Sequence, residues 1–119
     1  MKKPHALAAL AALAQENRLD AFRLLVQAGP EGAPAGEVAA ALGLPPNTLS
    51  FHFDRLREAE LVTVRRHGRS MIYAARFDTM NALLGYLTEN CCGGAVAQCT
   101  PPGCKPVSAG GKRKKVPTG

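Results

Sequence analysis

LGLPPNTLSFHFDRLREAELVTVRRHGRSMIYA, from Leu42 to Ala74, changes its hydrophobic period partway along. Pro45 and Pro46 mark a helix start, because proline's fixed φ suits a first turn and its missing N–H is not needed there. From that start Leu49, Phe53, Leu56 and Ala59 recur at helical spacing and predict a helix to about Glu60. The same spacing leaves Asn47, Thr48, Ser50, His52, Asp54 and Arg55 on the outer face. After Leu61 the period falls to two. Val62 and Val64 alternate with Thr63 and Arg65, Gly68 follows, and then Met71, Ile72, Tyr73 and Ala74, which is the pattern of a β-hairpin. Its tip carries Arg65, Arg66, His67 and Arg69.

Upstream of this stretch, Gly43 closes a short helix from about Glu37 to Leu42, with Val38, Ala41 and Leu42 turned inward, and EGAPAG before it reads as a loop. Two further helices precede the loop, from about Pro4 to Gln15 and from about Asn17 to Ala28. Leu19, Phe22, Leu25 and Val26 trace the face of the second. Downstream, Met80, Leu83, Leu84 and Leu87 predict a final helix from about Asp78 to Asn90. The expected fold is mainly α with a small β-hairpin wing, a winged helix-turn-helix of about five helices. A short helix, a tight turn, a polar-faced helix and a basic hairpin suit nucleic acid: the helix enters the major groove while wing arginines reach phosphates. On this reading the DNA-binding residues are Asn47, Thr48, Ser50, His52, Arg55, Arg65, Arg66 and Arg69. The alternative is a solvated helix beside a solubilising hairpin.

The 119 residues suffice for one modest core, and their formal net charge is +6. That charge says little about the folded part. Lys105, Lys112, Arg113, Lys114 and Lys115 all follow the last cysteine, and up to Cys104 ten basic residues face nine acidic ones. Met1-Lys2-Lys3 before ALAALAALA superficially matches a secretory signal. The stripe Leu7, Leu10, Leu13 reads instead as a helix face, and no stretch is apolar enough to span a bilayer.

Cys91, Cys92, Cys99 and Cys104 lie within fourteen positions, CCGGAVAQCTPPGC. Such clustering points to one site for a thiophilic ion and hence to a reducing cytoplasm. A zinc knot, a disulfide switch and inert thiols are the competing readings. Enzymatic use is disfavoured: an oxyanion-gripping arginine is required after five intervening residues, and there Cys91 meets Ala97 and Cys92 meets Gln98. Paired carboxylates, a Ser/His/Asp set and a phosphate-cradling glycine loop are likewise lacking in the sequence.

Across NRLDAFRLL, GEVAAALGLPPNTLSFHFDRLREAELV and TVRRHGRSMIYA the chain resembles the ArsR/SmtB family of metal-responsive repressors. The resemblance spans most of Leu7 to Leu87. It implies a cytoplasmic homodimer, paired through its first and last helices, that binds a two-fold symmetric operator and is released by an ion. Many arsenic-responsive members carry cysteines at the recognition helix, where this chain has none. Zinc-type members place Asp and His along the last helix, where this chain has Asp78 but no histidine. ENCCGGAVAQC is similar instead to the subgroup of arsenite repressors with C-terminal sensing cysteines, which implies Cys91, Cys92 and Cys99 as ligands of trivalent arsenic or antimony. Three thiolates complete the trigonal pyramid of that ion. Helical neighbours point about 100° apart, so Cys91 and Cys92 converge only where the helix ends, and Gly93-Gly94 supplies that end. Pro101-Pro102 stiffens the approach to Cys104, which ranks as a spare ligand. The expected organisation is a DNA-binding and dimerisation domain over 1–90, a sensing segment over 91–104 and a basic tail over 105–119.

Overall fold

Five helices and a three-stranded antiparallel sheet make up residues 1–90, the part of the chain that the computed structural model describes. Cys91, Cys92, Cys99, Cys104 and the basic tail lie outside the described residues. Helix α1 spans Lys3–Leu13 and α2 Glu16–Ala28. Arg18 fastens their junction: its Nε donates to the Ala12 carbonyl at 2.7 Å, and its backbone N–H donates to Gln15 Oε1, which caps α2, at 3.0 Å. Ala6, Ala9 and Ala12 are the buried residues of α1, while Leu7 and Leu10 of the leucine stripe are exposed. The small side chains let α1 settle against α2, α4 and α5, while Leu7 and Leu10 are turned outward and Leu13 packs against the edge of the core.

Strand β1, Ala33–Pro34, leads directly into α3, Ala35–Leu42. Both residues fall within EGAPAG, which by sequence is a loop. Two residues are too few to show alternation, and the strand exists because Ala33 and Pro34 pair with Tyr73 and Ile72. Gly32 is required beside it: φ is 77°, and a Cβ there would collide with the Tyr73 carbonyl. In α3, Val38 and Ala39 are buried while Ala41 is exposed, correcting the inward placement of Ala41.

Gly43, left-handed at φ 68°, ends α3; its N–H donates to the Ala40 carbonyl and that of Leu44 to the Ala39 carbonyl. Helix α4, Pro46–Glu58, begins at once with proline in its first turn. Its C-terminus repeats the same cap, with Leu61 N–H donating to the Leu56 carbonyl and Glu60 at φ 61°, a conformation glycine adopts at lower cost. Strands β2, Val62–His67, and β3, Ser70–Ala75, form the hairpin, with His67 paired to Ser70 around a two-residue turn. Gly68, at φ 63°, holds the first central position, as a type II′ turn requires. Helix α5, Phe77–Leu87, closes the domain and returns to α1. The core gathers Phe22, Leu25, Val38, Leu49, Phe53, Leu56 and Leu61 from α2, α3, α4 and the turn into β2, so the helix-turn-helix and the wing are anchored in one hydrophobic cluster.

Candidate nucleic-acid interface

Two parts of the surface carry the candidate site, the outer face of α4 and the β2–β3 tip. Both are held by aromatic packing, since Phe53 on the inner face of α4 stacks on Tyr73 of β3 with centroids 3.9 Å apart and planes 17° from parallel. Asn47, Thr48, Ser50 and Arg55 are exposed along α4, and Arg65, Arg66 and Arg69 are exposed on the wing. Asp54 and Glu58 also lie on the outer side of α4, yet each has a cationic neighbour: Arg57 stands 3.7 Å from Asp54 and Arg55 stands 3.1 Å from Glu58. The N-terminal half of α4, from Pro46 to Phe53, has no acidic residue. No side chain caps its first turn, leaving helix N–H groups free there.

His52 is corrected. The sequence pattern places it on the outer face for base contact, whereas it is only 7% exposed. Its Nδ1 lies 3.4 Å from Arg18 Nη1. Arginine offers only donors, so Nδ1 is the acceptor and the ring is neutral with its proton on Nε2. Burial, and then the Arg18 charge, pushes the His52 pKa below its ordinary value of 6.5. His52 therefore ties α4 to the α1–α2 junction through Arg18.

A pH dependence follows. The unfolded chain takes up the imidazole proton more readily than the folded one, so this contribution to stability is complete above about pH 6.5 and is lost as pH falls below it. His52→Gln keeps an acceptor for Arg18 but cannot titrate. Urea midpoints at pH 7 and pH 5 are expected to differ less in that variant than in the parent chain. Equal pH slopes in the two proteins would show that His52 is not the group responsible.

Phe51, to which the sequence pattern assigns no role, lies on the outer face of α4. It is 51% exposed, with the Arg55 guanidinium 4.7 Å from its ring centroid. An aromatic side chain without an assigned place in the apolar ladder Leu49, Phe53, Leu56 was the available signal.

Arg76, between β3 and α5, ties the start of α5 to the α4–β2 junction. Its backbone N–H donates to the Leu61 carbonyl at 2.8 Å, and its guanidinium lies 3.0 Å from Asp78 and 3.7 Å from Glu60. The hydrogen bond from Arg76 holds the Asp78 carboxyl below its ordinary range. Asp78 is thus engaged by an arginine, and among the described residues no three His, Cys, Asp or Glu side chains assemble as a metal site. Among those residues no helix is long and apolar enough to cross a membrane.

Residues 13–65 match the family described as a helix-turn-helix domain. A 40-residue stretch is 48% identical to YdfF of Bacillus subtilis, an uncharacterised HTH-type transcriptional regulator, covering 34% of this chain and 18% of that longer protein. YceK of the same organism, also an uncharacterised HTH-type regulator, is 38% identical over 77 residues, 64% of this chain and 76% of YceK. Among solved structures, the homodimeric winged helix-turn-helix DNA-binding domain Mb0332 of Mycobacterium bovis, a possible ArsR-family transcriptional regulator, superposes with a TM-score of 0.59 at 26% identity, over 73% of this chain and 81% of that one. These relatives are regulators rather than enzymes. Identity at that level across three quarters of YceK, on an architecture shared with Mb0332, places the chain in the ArsR/SmtB family of winged helix-turn-helix transcriptional regulators.

Proposed function

We propose that the protein is an arsenite-responsive transcriptional repressor of the cytoplasm, binding operator DNA as a homodimer and leaving it when trivalent arsenic or antimony binds Cys91, Cys92 and Cys99. The observation that carries the DNA part is the pairing of an exposed polar α4 face with the exposed wing arginines Arg65, Arg66 and Arg69. Groups at base edges specify sequence, and the arginines add salt-sensitive phosphate contacts. Leu7, Leu10, Leu84 and Leu87, large apolar side chains left exposed on α1 and α5, supply the surface for the second subunit.

The sensing part rests on donor chemistry. Three thiolates suit a soft trivalent ion that is satisfied by three sulfurs, and the first of them follows the end of α5 by four positions in sequence. In this reading the ion ties the end of a dimer helix to the following segment and disfavours the DNA-competent dimer. A coupling of about 1–3 kcal/mol lowers operator affinity roughly 5- to 150-fold, with arsenite bound correspondingly more weakly on DNA. A second reading, release by disulfide formation, is favoured by four thiols in fourteen positions.

Titration of the reduced full chain on its operator with arsenite, zinc, cadmium and peroxide separates the two. Arsenite is expected to release the DNA. Cys91→Ser, Cys92→Ser and Cys99→Ser are each expected to keep binding and lose the response, with Cys104→Ser nearly unchanged. Release by peroxide alone establishes the redox reading instead.

A further inference from the structure

Phe51 occupies the centre of the face that α4 presents outward, and nothing in the protomer accounts for it. Asn47, Phe51 and Arg55 are spaced four residues apart and form one ridge along the helix, opposite the buried Leu49, Phe53 and Leu56. Arg55 covers one face of the Phe51 ring at 4.7 Å, and the His52 ring meets it edge-on with centroids 5.9 Å apart. The ring is steadied on these sides, and half of its surface remains open to water.

A second protein is a poor occupant for that surface. Phe51 stands alone among Asn47, Thr48, Ser50 and Asp54, all polar and exposed, whereas the exposed leucines that suit a protein partner lie on α1 and α5. Duplex DNA fits both features. Its major groove offers hydrogen-bonding base edges to the polar neighbours and one apolar group, the thymine C5-methyl, to an aromatic ring. Helix-turn-helix domains bring the N-terminal residues of the recognition helix to the bases, and Phe51 belongs to that half of α4.

We propose that Phe51 is a specificity-determining residue that reads thymine by packing its open ring edge against the C5-methyl group, with Arg55 holding the ring in place. This rests on the DNA-binding reading above. It adds a base identity to that reading: the operator half-site carries a thymine under the middle of α4, recognised by its methyl group instead of by a hydrogen bond.

The test uses the full chain, reduced, and sites selected from a randomised duplex library. Each thymine of the selected site is then replaced singly by deoxyuridine, which keeps the base pair and removes only the methyl. Binding of the parent chain is expected to weaken about fourfold at one thymine per half-site, the factor carried by burying one apolar carbon. Phe51→Ala is expected to bind the thymine and deoxyuridine duplexes equally, and Phe51→Leu to keep part of the difference. Because Phe51 is exposed, circular dichroism of both variants should match the parent. Indifference of the parent chain to every deoxyuridine substitution overturns this proposal and leaves the DNA-binding reading standing, as does discrimination that survives Phe51→Ala. Failure to enrich any sequence overturns both.

Discussion

Phe53→Ala is expected to remove a large share of the stability of the domain. The side chain is completely buried, and its ring lies flat on Tyr73. Truncating a buried phenylalanine costs about 3–5 kcal/mol through lost transfer energy and the cavity left behind, against about 5–15 kcal/mol for the whole of a typical domain. The loss here falls at a junction. Phe53 joins α4 to the sheet, so the cavity would separate the helix from the strands that aim the wing, and neighbouring groups cannot close it without moving one or the other. Urea denaturation should show the midpoint falling by about a third to a half for a domain of about 10 kcal/mol, with Phe53→Leu intermediate. An unfolding free energy within about 1 kcal/mol of the parent would mean that the aromatic stack does not anchor α4.

The neighbouring positions 51, 52 and 53 illustrate how far a one-dimensional reading reaches. Leu49, Phe53 and Leu56 define the inner face of α4 by their spacing, and the structure buries all three. The helix limits were similarly legible from Pro46, Gly43 and the two valines of β2, because caps, turns and periodicity are local. Phe51 and His52 were not legible by polarity. One i,i+3 step from Leu49 sets His52 on the inner side, and its polar ring is tolerated there because Arg18, 34 positions away in sequence, reaches its Nδ1. That partner belongs to another helix, so no spacing rule within α4 reveals it. Phe51 takes the outward position that remains. The same cause hid β1, whose two residues become a strand only through Tyr73 and Ile72. It also governs α1, where alanines face inward because close approach to its neighbours, not side-chain size, decides the buried side. Arg18 therefore has two structural tasks, at the α1–α2 junction and at α4. Both became visible only when the helices were brought together.

Leu84→Glu is expected to convert the proposed dimer to monomer while leaving each subunit folded. Leu83 of α5 is buried in the protomer core, and Leu84 beside it is 49% exposed, so the substitution touches the outer face of the helix and spares the inner one. In a two-fold symmetric interface every substitution occurs twice. An uncompensated carboxylate costs several kcal/mol to bury; at about 3 kcal/mol per copy the penalty is ~6 kcal/mol, or about four orders of magnitude in the dimer dissociation constant. Sedimentation at micromolar concentration should then give the monomer mass, with the parent's helical circular dichroism retained. A variant that still sediments as a dimer would remove α5 from the interface. The consequence for DNA is larger than for the fold, because a monomer presents one α4 and one wing to an operator built for two. Leu87 ends the same helix and is also exposed, and Cys91 follows within one further turn's length of chain. On the proposed reading, an ion gathered by Cys91 and Cys92 would act close in sequence to the exposed leucines of α5. Release by arsenite and release by Leu84→Glu should accordingly lower operator affinity through the same lost half-site pairing, and arsenite should have little further effect on DNA binding once Leu84→Glu has separated the subunits.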